Sequence, residues 1–159
     1  MVDEGDTAPD VTAPMSTPDG DIASFDLSDA IEDGPVVLAF FPGAFTSVCT
    51  GEMRTFRDRL ENLTDAGAQL YGVSIDTPFA LGEFAEQNDL NFPLVSDSTR
   101  EVIDAFDVRM DFEELGVTGV AKRSVFVVDE DGTITYSWVS DDPGVEPDYE
   151  EVEAAAADA

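Results

Sequence analysis

The chain contains no histidine, and this absence excludes several classes of enzyme. Ser-His-Asp and Cys-His catalysis both need an imidazole base, and His-ligated zinc and haem sites need an imidazole ligand. The chain also has a single cysteine, Cys49, so it can form neither an internal disulfide nor a zinc site built from thiolates. Any chemistry at Cys49 must therefore be activated by arginine, by backbone dipoles or by burial.

Positive charge is also scarce. Seven Lys and Arg residues stand against 36 Asp and Glu residues, and the formal net charge is −29. Lys122 is the single lysine, which argues against a surface that neutralises nucleic-acid phosphates. Carboxylates can hold a metal, but no loop here has the spacing of a calcium site. We expect no metal and no cofactor, and an acidic surface suited to a salt-rich cytosol because salt screens its self-repulsion.

Long apolar runs are missing as well. No run approaches the ~20 residues that cross a bilayer, although 43% apolar residues suffice for a core. The first residues, 1–6, lack the basic start and apolar stretch of a secretory signal. We therefore expect one domain over residues 1–159, in the cytoplasm and without a membrane partner.

Strand and helix patterns alternate along the chain. Residues 1–20, with Pro9, Pro14 and Pro18, are expected to be irregular or an edge strand, with a turn at 18–20. β-Branched and aromatic runs predict strands, the last two joined by an Asp-Gly turn, at 36–41, 69–75, 93–97, 123–128 and 133–139. Apolar spacings of three and four predict a helix from Cys49 to near Gly67, and the helix start at Thr77-Pro78 predicts another at 79–87. Short helices are expected at 28–31 and 100–106, and an acidic, alanine-rich helix is expected at 149–157. This order predicts an α/β fold with a mixed central sheet flanked by helices.

The segment around Cys49 carries the most information. Residues 40–52 read FFPGAFTSVCTGE, so an apolar strand stops at Pro42 and an amphipathic helix begins near the cysteine. The first N–H groups of a helix lack intrahelical partners, and the positive end of its dipole favours a negative sulfur. The position therefore predicts a reactive thiolate, and the alternative is a buried structural cysteine.

The same segment resembles a known family. Pro42, Thr46 and Cys49 fit the Pro-x-x-x-Thr-x-x-Cys pattern of the peroxiredoxins, and Arg123 in RSVFVVD resembles the arginine on their distal strand. The resemblance is strongest with the one-cysteine AhpE-like subgroup and its bacterioferritin-comigratory-protein relatives. It implies a thioredoxin-like fold with an N-terminal extension. It also implies a thiol-dependent peroxidase that reduces hydrogen peroxide or organic hydroperoxides through a cysteine sulfenic acid.

The resemblance implies roles for three side chains in particular. Cys49 would be the peroxidatic nucleophile. Arg123 would stabilise its thiolate and donate hydrogen bonds to the peroxide, and the alternative is a surface salt bridge. Thr46 would offer its hydroxyl to the peroxide, and its alternative role, as the N-cap of the helix, is compatible with the first.

Three further groups have implied roles. Pro42 would shield the thiolate from water, or simply end the strand. The backbone N–H groups of Val48 and Cys49 would contact peroxide oxygens at the helix start. Glu52 would orient the arginine, and its alternative is a solvated glutamate in the first turn of the helix.

One departure from relatives limits the mechanism. Some relatives carry a resolving cysteine five positions after the first, where this chain has Arg54. Cys49 must then be reduced by an external partner, either a low-molecular-weight thiol or a thioredoxin- or glutaredoxin-like protein. The subgroup also implies a homodimer through the loops near Phe45. The competing hypothesis is a non-enzymatic redox sensor or thioredoxin-like binding module.

Overall fold

The computed structural model describes residues 2–159 as nine strands and five helices. The strands are β1 Thr12–Ser16, β2 Ile22–Asp26, β3 Val36–Phe40, β4 Gln69–Ser74, β5 Leu94–Ser96, β6 Arg109–Phe112, β7 Val117–Ala121, β8 Ser124–Val128 and β9 Ile134–Val139. The helices are α1 Leu27–Ala30, α2 Ser47–Asp65, α3 Pro78–Gln87, α4 Glu101–Ala105 and α5 Tyr149–Asp158.

Seven of the strands form one mixed sheet in the order β2-β1-β5-β4-β3-β8-β9. The β3–β4 and β4–β5 pairs are parallel, and the other pairs are antiparallel. All five residues of β3 are buried, as expected for a central strand covered on both faces. Its alternate side chains enter two apolar clusters on opposite faces of the sheet. Helices α1 and α4 pack on one face, and α2, α3 and α5 pack on the other.

The register of the sheet brings the segment that leads to Cys49 close to Arg123. β3 and β8 are antiparallel with Phe40 opposite Ser124, so the end of β3 lies beside the start of β8. Phe41 still donates its N–H to the carbonyl of Val73, but Pro42 has no N–H to donate and the chain leaves the sheet. Helix α2 starts a few residues later, which places Cys49 near Arg123.

The predicted α/β architecture is confirmed, and most element bounds differ from prediction by one or two residues. The N-terminal segment differs from expectation, because β1 lies between β2 and β5 and is not an edge strand. Its Pro14 is tolerated because β1 pairs with β5 only at Met15 and Ser16. Within residues 2–159, no helix is both long and apolar enough to span a bilayer.

Three strands were not predicted from the sequence, namely β2, β6 and β7. The antiparallel β6–β7 hairpin forms a separate two-stranded sheet with an irregular register between Met110 and Phe112. Its first strand alternates exposed and half-buried residues, so it lacks the apolar run that marks the central strands. The hairpin matters for function because it forms one wall of the cavity that contains the candidate site.

Candidate active site

Cys49 lies in the wall of a cavity of about 500 Å³. The residue is in the first turn of α2, on the face of the helix that also buries Glu52, Met53 and Phe56. The spacing of these residues follows the helical repeat, so one helix face supplies both core packing and the reactive atom. Cys49 is a free thiol and is 1% exposed. Burial alone would fit a structural cysteine, so its polar contacts decide what it can do.

Arg123 is the polar side chain in contact with the sulfur. It immediately precedes β8, it is 1% exposed, and its Nη2 donates to Sγ of Cys49 at 3.1 Å. Its Nη1 donates to Oε1 of Glu52 at 2.5 Å, and its Nε donates to the carbonyl oxygen of Pro143 at 3.0 Å. The guanidinium plane is thus held on three sides, which fixes one N–H group toward the sulfur.

Charge around Arg123 is balanced locally. Burial works to lower the pKa of Arg123, but the negative charges of Glu52 and Cys49 outweigh this effect and the pKa is raised. The guanidinium therefore stays protonated and directs one of its N–H groups at the sulfur. Arg123 is not the surface salt bridge that was its alternative.

Glu52 lies behind Arg123, away from the cavity. Its side chain is completely buried, so the solvated alternative is wrong for this residue. Burial raises the pKa of Glu52 to about 7, while the charge and hydrogen bond of Arg123 oppose the shift. Among residues 2–159, no group bonds to its Oε2, although this atom is buried. The carboxyl can therefore gain or lose a proton near neutral pH.

Thr46 is the N-cap residue of α2, but its side chain does not cap the helix. Its hydroxyl donates to the carbonyl oxygen of Gly43 at 2.8 Å, and its own carbonyl accepts from the N–H of Thr50 at 2.9 Å. Because the hydroxyl proton is used on Gly43, the lone pairs of the hydroxyl oxygen remain to accept a hydrogen bond from a ligand. Thr46 is exposed and lines the cavity, where such a ligand would bind.

The inner wall of the cavity is the part around Cys49. Backbone N–H groups and Pro42 complete it. Val48 and Cys49 are in the first turn of α2, where no helical carbonyl can accept from their N–H groups. Pro42 is buried and lines the same cavity. Five of the six predicted site residues thus line the cavity, and Glu52 contacts it only through Arg123.

The outer wall of the cavity is formed by a hairpin that was not predicted from the sequence. Phe112, Leu115, Val117 and Val120 of the β6–β7 hairpin line the cavity, and Leu115 is 75% exposed. Gly116, which has a positive φ and lies between β6 and β7, is the turn signal that could have located this hairpin. The sequence also did not identify Asp76 or Pro143, which line the cavity near the inner wall. The cavity thus has an apolar outer wall facing the polar groups around Cys49.

Comparison with known proteins shows the family of this chain. The AhpC/TSA family model matches residues 4–137. One relative, from Mycobacterium tuberculosis (strain ATCC 25618 / H37Rv), is named as a peroxiredoxin. It is 41% identical to this chain over 132 residues, which are 82% of this chain and 80% of that protein. The chain belongs to the peroxiredoxin (AhpC/TSA) family.

Two further relatives describe this peroxiredoxin more closely. Peroxiredoxin Bcp of Escherichia coli (strain K12) is 36% identical over 131 residues, 81% of this chain and 83% of that protein. The crystal structure of peroxidoxin BcpB from Mycobacterium tuberculosis aligns with a TM-score of 0.80 at 31% identity, covering 96% of this chain and 95% of that one. The expected thioredoxin-like fold is confirmed, and the relatives are Bcp-like.

Family membership establishes the class of reaction. A peroxiredoxin is a thiol-dependent peroxidase, so its substrate is a peroxide and its reductant is a thiol. This favours the enzyme over the non-enzymatic sensor that the sequence left open. The single cysteine of the chain is consistent with a one-cysteine mechanism.

Proposed function

We propose that this peroxiredoxin reduces hydrogen peroxide or organic hydroperoxides by a one-cysteine mechanism in which Cys49 is the nucleophile. The observation that carries the proposal is the 3.1 Å contact between the Arg123 guanidinium and Sγ of Cys49 at the cavity wall. The thiolate attacks one peroxide oxygen, the O–O bond breaks, and the second oxygen leaves as water or an alcohol after taking a proton. Cys49 becomes a sulfenic acid.

The remaining inner-wall groups bind the peroxide. Arg123 donates to the oxygen that develops negative charge, since its planar donors serve sulfur and peroxide together. Thr46 accepts from the peroxide O–H, because its own proton is held on Gly43. The N–H groups of Val48 and Cys49 contact the peroxide oxygens, Pro42 shields the sulfur from water, and Glu52 orients Arg123.

An external thiol completes the cycle. The thiol sulfur attacks the sulfenic sulfur, water leaves, and a mixed disulfide forms; a second thiol then releases Cys49. The reductant is a low-molecular-weight thiol or a thioredoxin- or glutaredoxin-like protein, because the chain holds no second cysteine.

We also propose an oligomeric state and a cellular environment for this protein. Phe45 is 53% exposed on the loop before α2 and Phe79 is 75% exposed at the start of α3, which supports a homodimer through this face. The net charge of −29 supports a haloadapted source and a cytoplasm rich in salt. Neither nucleic acid nor a membrane is a partner of this acidic chain.

Rapid mixing of reduced protein with stoichiometric peroxide tests the proposed function. We expect fast consumption of the peroxide, one sulfenic acid per chain, and sustained turnover when a regenerating thiol is added. A Cys49→Ser variant should consume none. Equal rates in the variant and the wild type would disprove the assignment of Cys49.

A further inference from the structure

Asp76 lies at the cavity wall, two residues beyond the end of β4, and it binds the loop that precedes α2. Its Oδ2 accepts a hydrogen bond from the N–H of Ala44 at 2.8 Å and another from the hydroxyl of Ser74 at 2.7 Å. The first of these bonds joins the sheet to the segment that leads to Cys49. Neither the family pattern nor the proposed peroxide contacts involve this carboxylate.

The peptide unit that Asp76 binds is also the one that binds Thr46. The Gly43–Ala44 peptide donates its N–H to Asp76, and its C=O accepts from the Thr46 hydroxyl at 2.8 Å. All peptide bonds among the described residues are trans, so the N–H and C=O of this unit point in opposite directions. A group that fixes one end of the unit therefore fixes the direction of the other. Hydrogen bonds in such a chain also polarise one another.

Two buried serines hold Asp76 in place. Ser74 and Ser96 lie at the ends of the adjacent strands β4 and β5, and both are almost completely buried. Ser96 donates its hydroxyl to the carbonyl oxygen of Asp76 at 2.6 Å, and the Asp76 N–H donates to the hydroxyl of Ser74 at 3.3 Å. The position of the carboxylate is therefore set by the sheet.

The loop needs such an anchor. Phe45, between Ala44 and Thr46, has a φ of 69°, which is uncommon for a bulky residue. A backbone in this region persists only when the surrounding structure holds it. The Asp76 bond to Ala44 supplies that restraint next to the strained residue.

We propose that Asp76 is a positioning residue for peroxide reduction. Through the Gly43–Ala44 peptide it keeps the Thr46 proton on the Gly43 carbonyl and leaves the Thr46 oxygen free to accept from the peroxide. This inference rests on the proposed function, because it assumes that Thr46 binds the peroxide consumed by Cys49. The Asp76 carboxylate accepts hydrogen bonds from Ala44 and Ser74, and we infer that it acts through the loop and not by binding the peroxide.

The test compares two reactions of Cys49 in the same variants, oxidation by hydrogen peroxide and alkylation by uncharged iodoacetamide. Asp76→Ala should slow oxidation on the order of tenfold, the value expected for losing one positioned hydrogen bond, and leave alkylation unchanged. Asp76→Asn should keep nearly the wild-type rate, since an amide oxygen also accepts two hydrogen bonds. The ratio of the two rate constants separates positioning from a general change in the thiol.

A double-mutant cycle shows whether Asp76 acts through Thr46. Thr46→Val removes the hydroxyl and should itself slow oxidation. In that background Asp76→Ala should add less than about a twofold change, because the two variants interrupt the same chain of bonds. Fully multiplicative effects would overturn the inference.

Asp97 provides a matched control. This carboxylate follows the neighbouring strand β5 and accepts from the N–H groups of Val102 and Ile103 at 2.9 and 2.8 Å. It caps α4 and does not touch the loop before α2. Asp97→Ala should lower the melting temperature without changing the ratio of oxidation to alkylation.

The outcomes separate the two proposals. A wild-type rate ratio in Asp76→Ala overturns the positioning role, whereas peroxide consumption by Cys49→Ser overturns the proposed function. If Asp76→Ala does not fold, Ser74→Ala removes the hydroxyl that orients the carboxylate and is measured in the same way. A lowered ratio in Ser74→Ala supports the role, and an unchanged ratio overturns it.

Discussion

Two Arg–carboxylate pairs in this protein have opposite surroundings. Arg123 and Glu52 are 1% and 0% exposed, while Arg109 and Asp104 are 46% and 53% exposed. The exposed pair has the better geometry, with two parallel bonds of 2.7 and 2.9 Å. The buried pair has one N–H···O bond and a carboxylate oxygen without a partner among residues 2–159.

We expect burial, more than bond geometry, to decide which pair influences the chemistry at Cys49. Water and salt screen an exposed pair, and such pairs contribute about 0–1 kcal/mol. In the interior the same charges are screened far less. Burial itself raises the pKa of Glu52 to about 7, although the charge and hydrogen bond of Arg123 oppose the shift. Burying the Arg123–Glu52 pair therefore costs desolvation free energy, and we expect its charges to act mainly at Cys49.

The largest effect should follow from Arg123→Ala. The thiolate loses its guanidinium and the peroxide loses a donor, so we expect oxidation of Cys49 to slow by roughly 10²–10³. Stopped-flow rates test this, with Arg109→Ala as the control. Equal losses in the two variants would remove the contrast between the pairs.

Glu52→Gln tests the buried carboxyl by its pH dependence. Burial raises the pKa of Glu52 from its ordinary value of 4.5 to about 7, so between these pH values the folded state holds a proton that the unfolded state releases. Stability from this group is present below about 4.5 and is lost as pH rises toward 7, by up to about 1.4 kcal/mol per pH unit.

The measurement is the wild-type free energy of unfolding minus that of Glu52→Gln, from urea unfolding at a series of pH values. Subtraction removes the contribution of the other carboxylates. Asp104→Asn, which removes an exposed carboxylate, is the control for the substitution itself. A flat difference for Glu52→Gln would show that its proton affinity does not change on folding.

Salt should affect the surface and spare the buried pair. From about 0.1 M to about 3 M salt the screening length falls from about 10 Å to below about 3 Å. Because the net charge is −29, we expect the melting temperature to rise by several degrees. The rate constant with uncharged hydrogen peroxide should change less than about twofold. A melting temperature independent of salt would contradict the expected stabilisation. A steep loss of rate would contradict the expectation that salt leaves the buried pair unaffected.

The smallest effect should come from the exposed pair itself. Asp104→Asn breaks both bonds to Arg109 at the surface, so the free energy of unfolding should change by less than about 1 kcal/mol. The rate of peroxide reduction should not change. Thermal unfolding and stopped-flow assays of this variant check both points, and a loss of activity would mean that the surface charges reach Cys49.

Much of the fold was predictable because its central elements repeat simple local patterns. The apolar run of β3 and the spacing of three and four in α2 are visible in the sequence, and both elements are confirmed. The β6–β7 hairpin was missed because its first strand alternates exposed and half-buried residues, and its second strand begins with exposed ones. Such short strands depend on pairing with each other more than on their own composition.

The candidate site was predictable to a smaller degree. The family pattern pointed to the six residues that the structure brings together, although their roles in the reaction stay proposals. Pattern reasoning did not point to Asp76 or Pro143, whose contacts run through backbone atoms. A backbone N–H or C=O is present at nearly every residue, so residue type carries no sign of such a bond.

By itself the sequence determined which residue carries the thiol and that this residue lies at a helix start. It also determined that no histidine can activate the thiol and that no second cysteine of the chain can resolve its sulfenic acid. Only the tertiary structure decided that Arg123 and Glu52 are buried and that Arg123 contacts Cys49. It alone joined Asp76 to the loop before α2. The physical reason is that composition and local spacing act along the chain, whereas burial and long-range hydrogen bonds depend on the sheet register that sets Phe40 opposite Ser124.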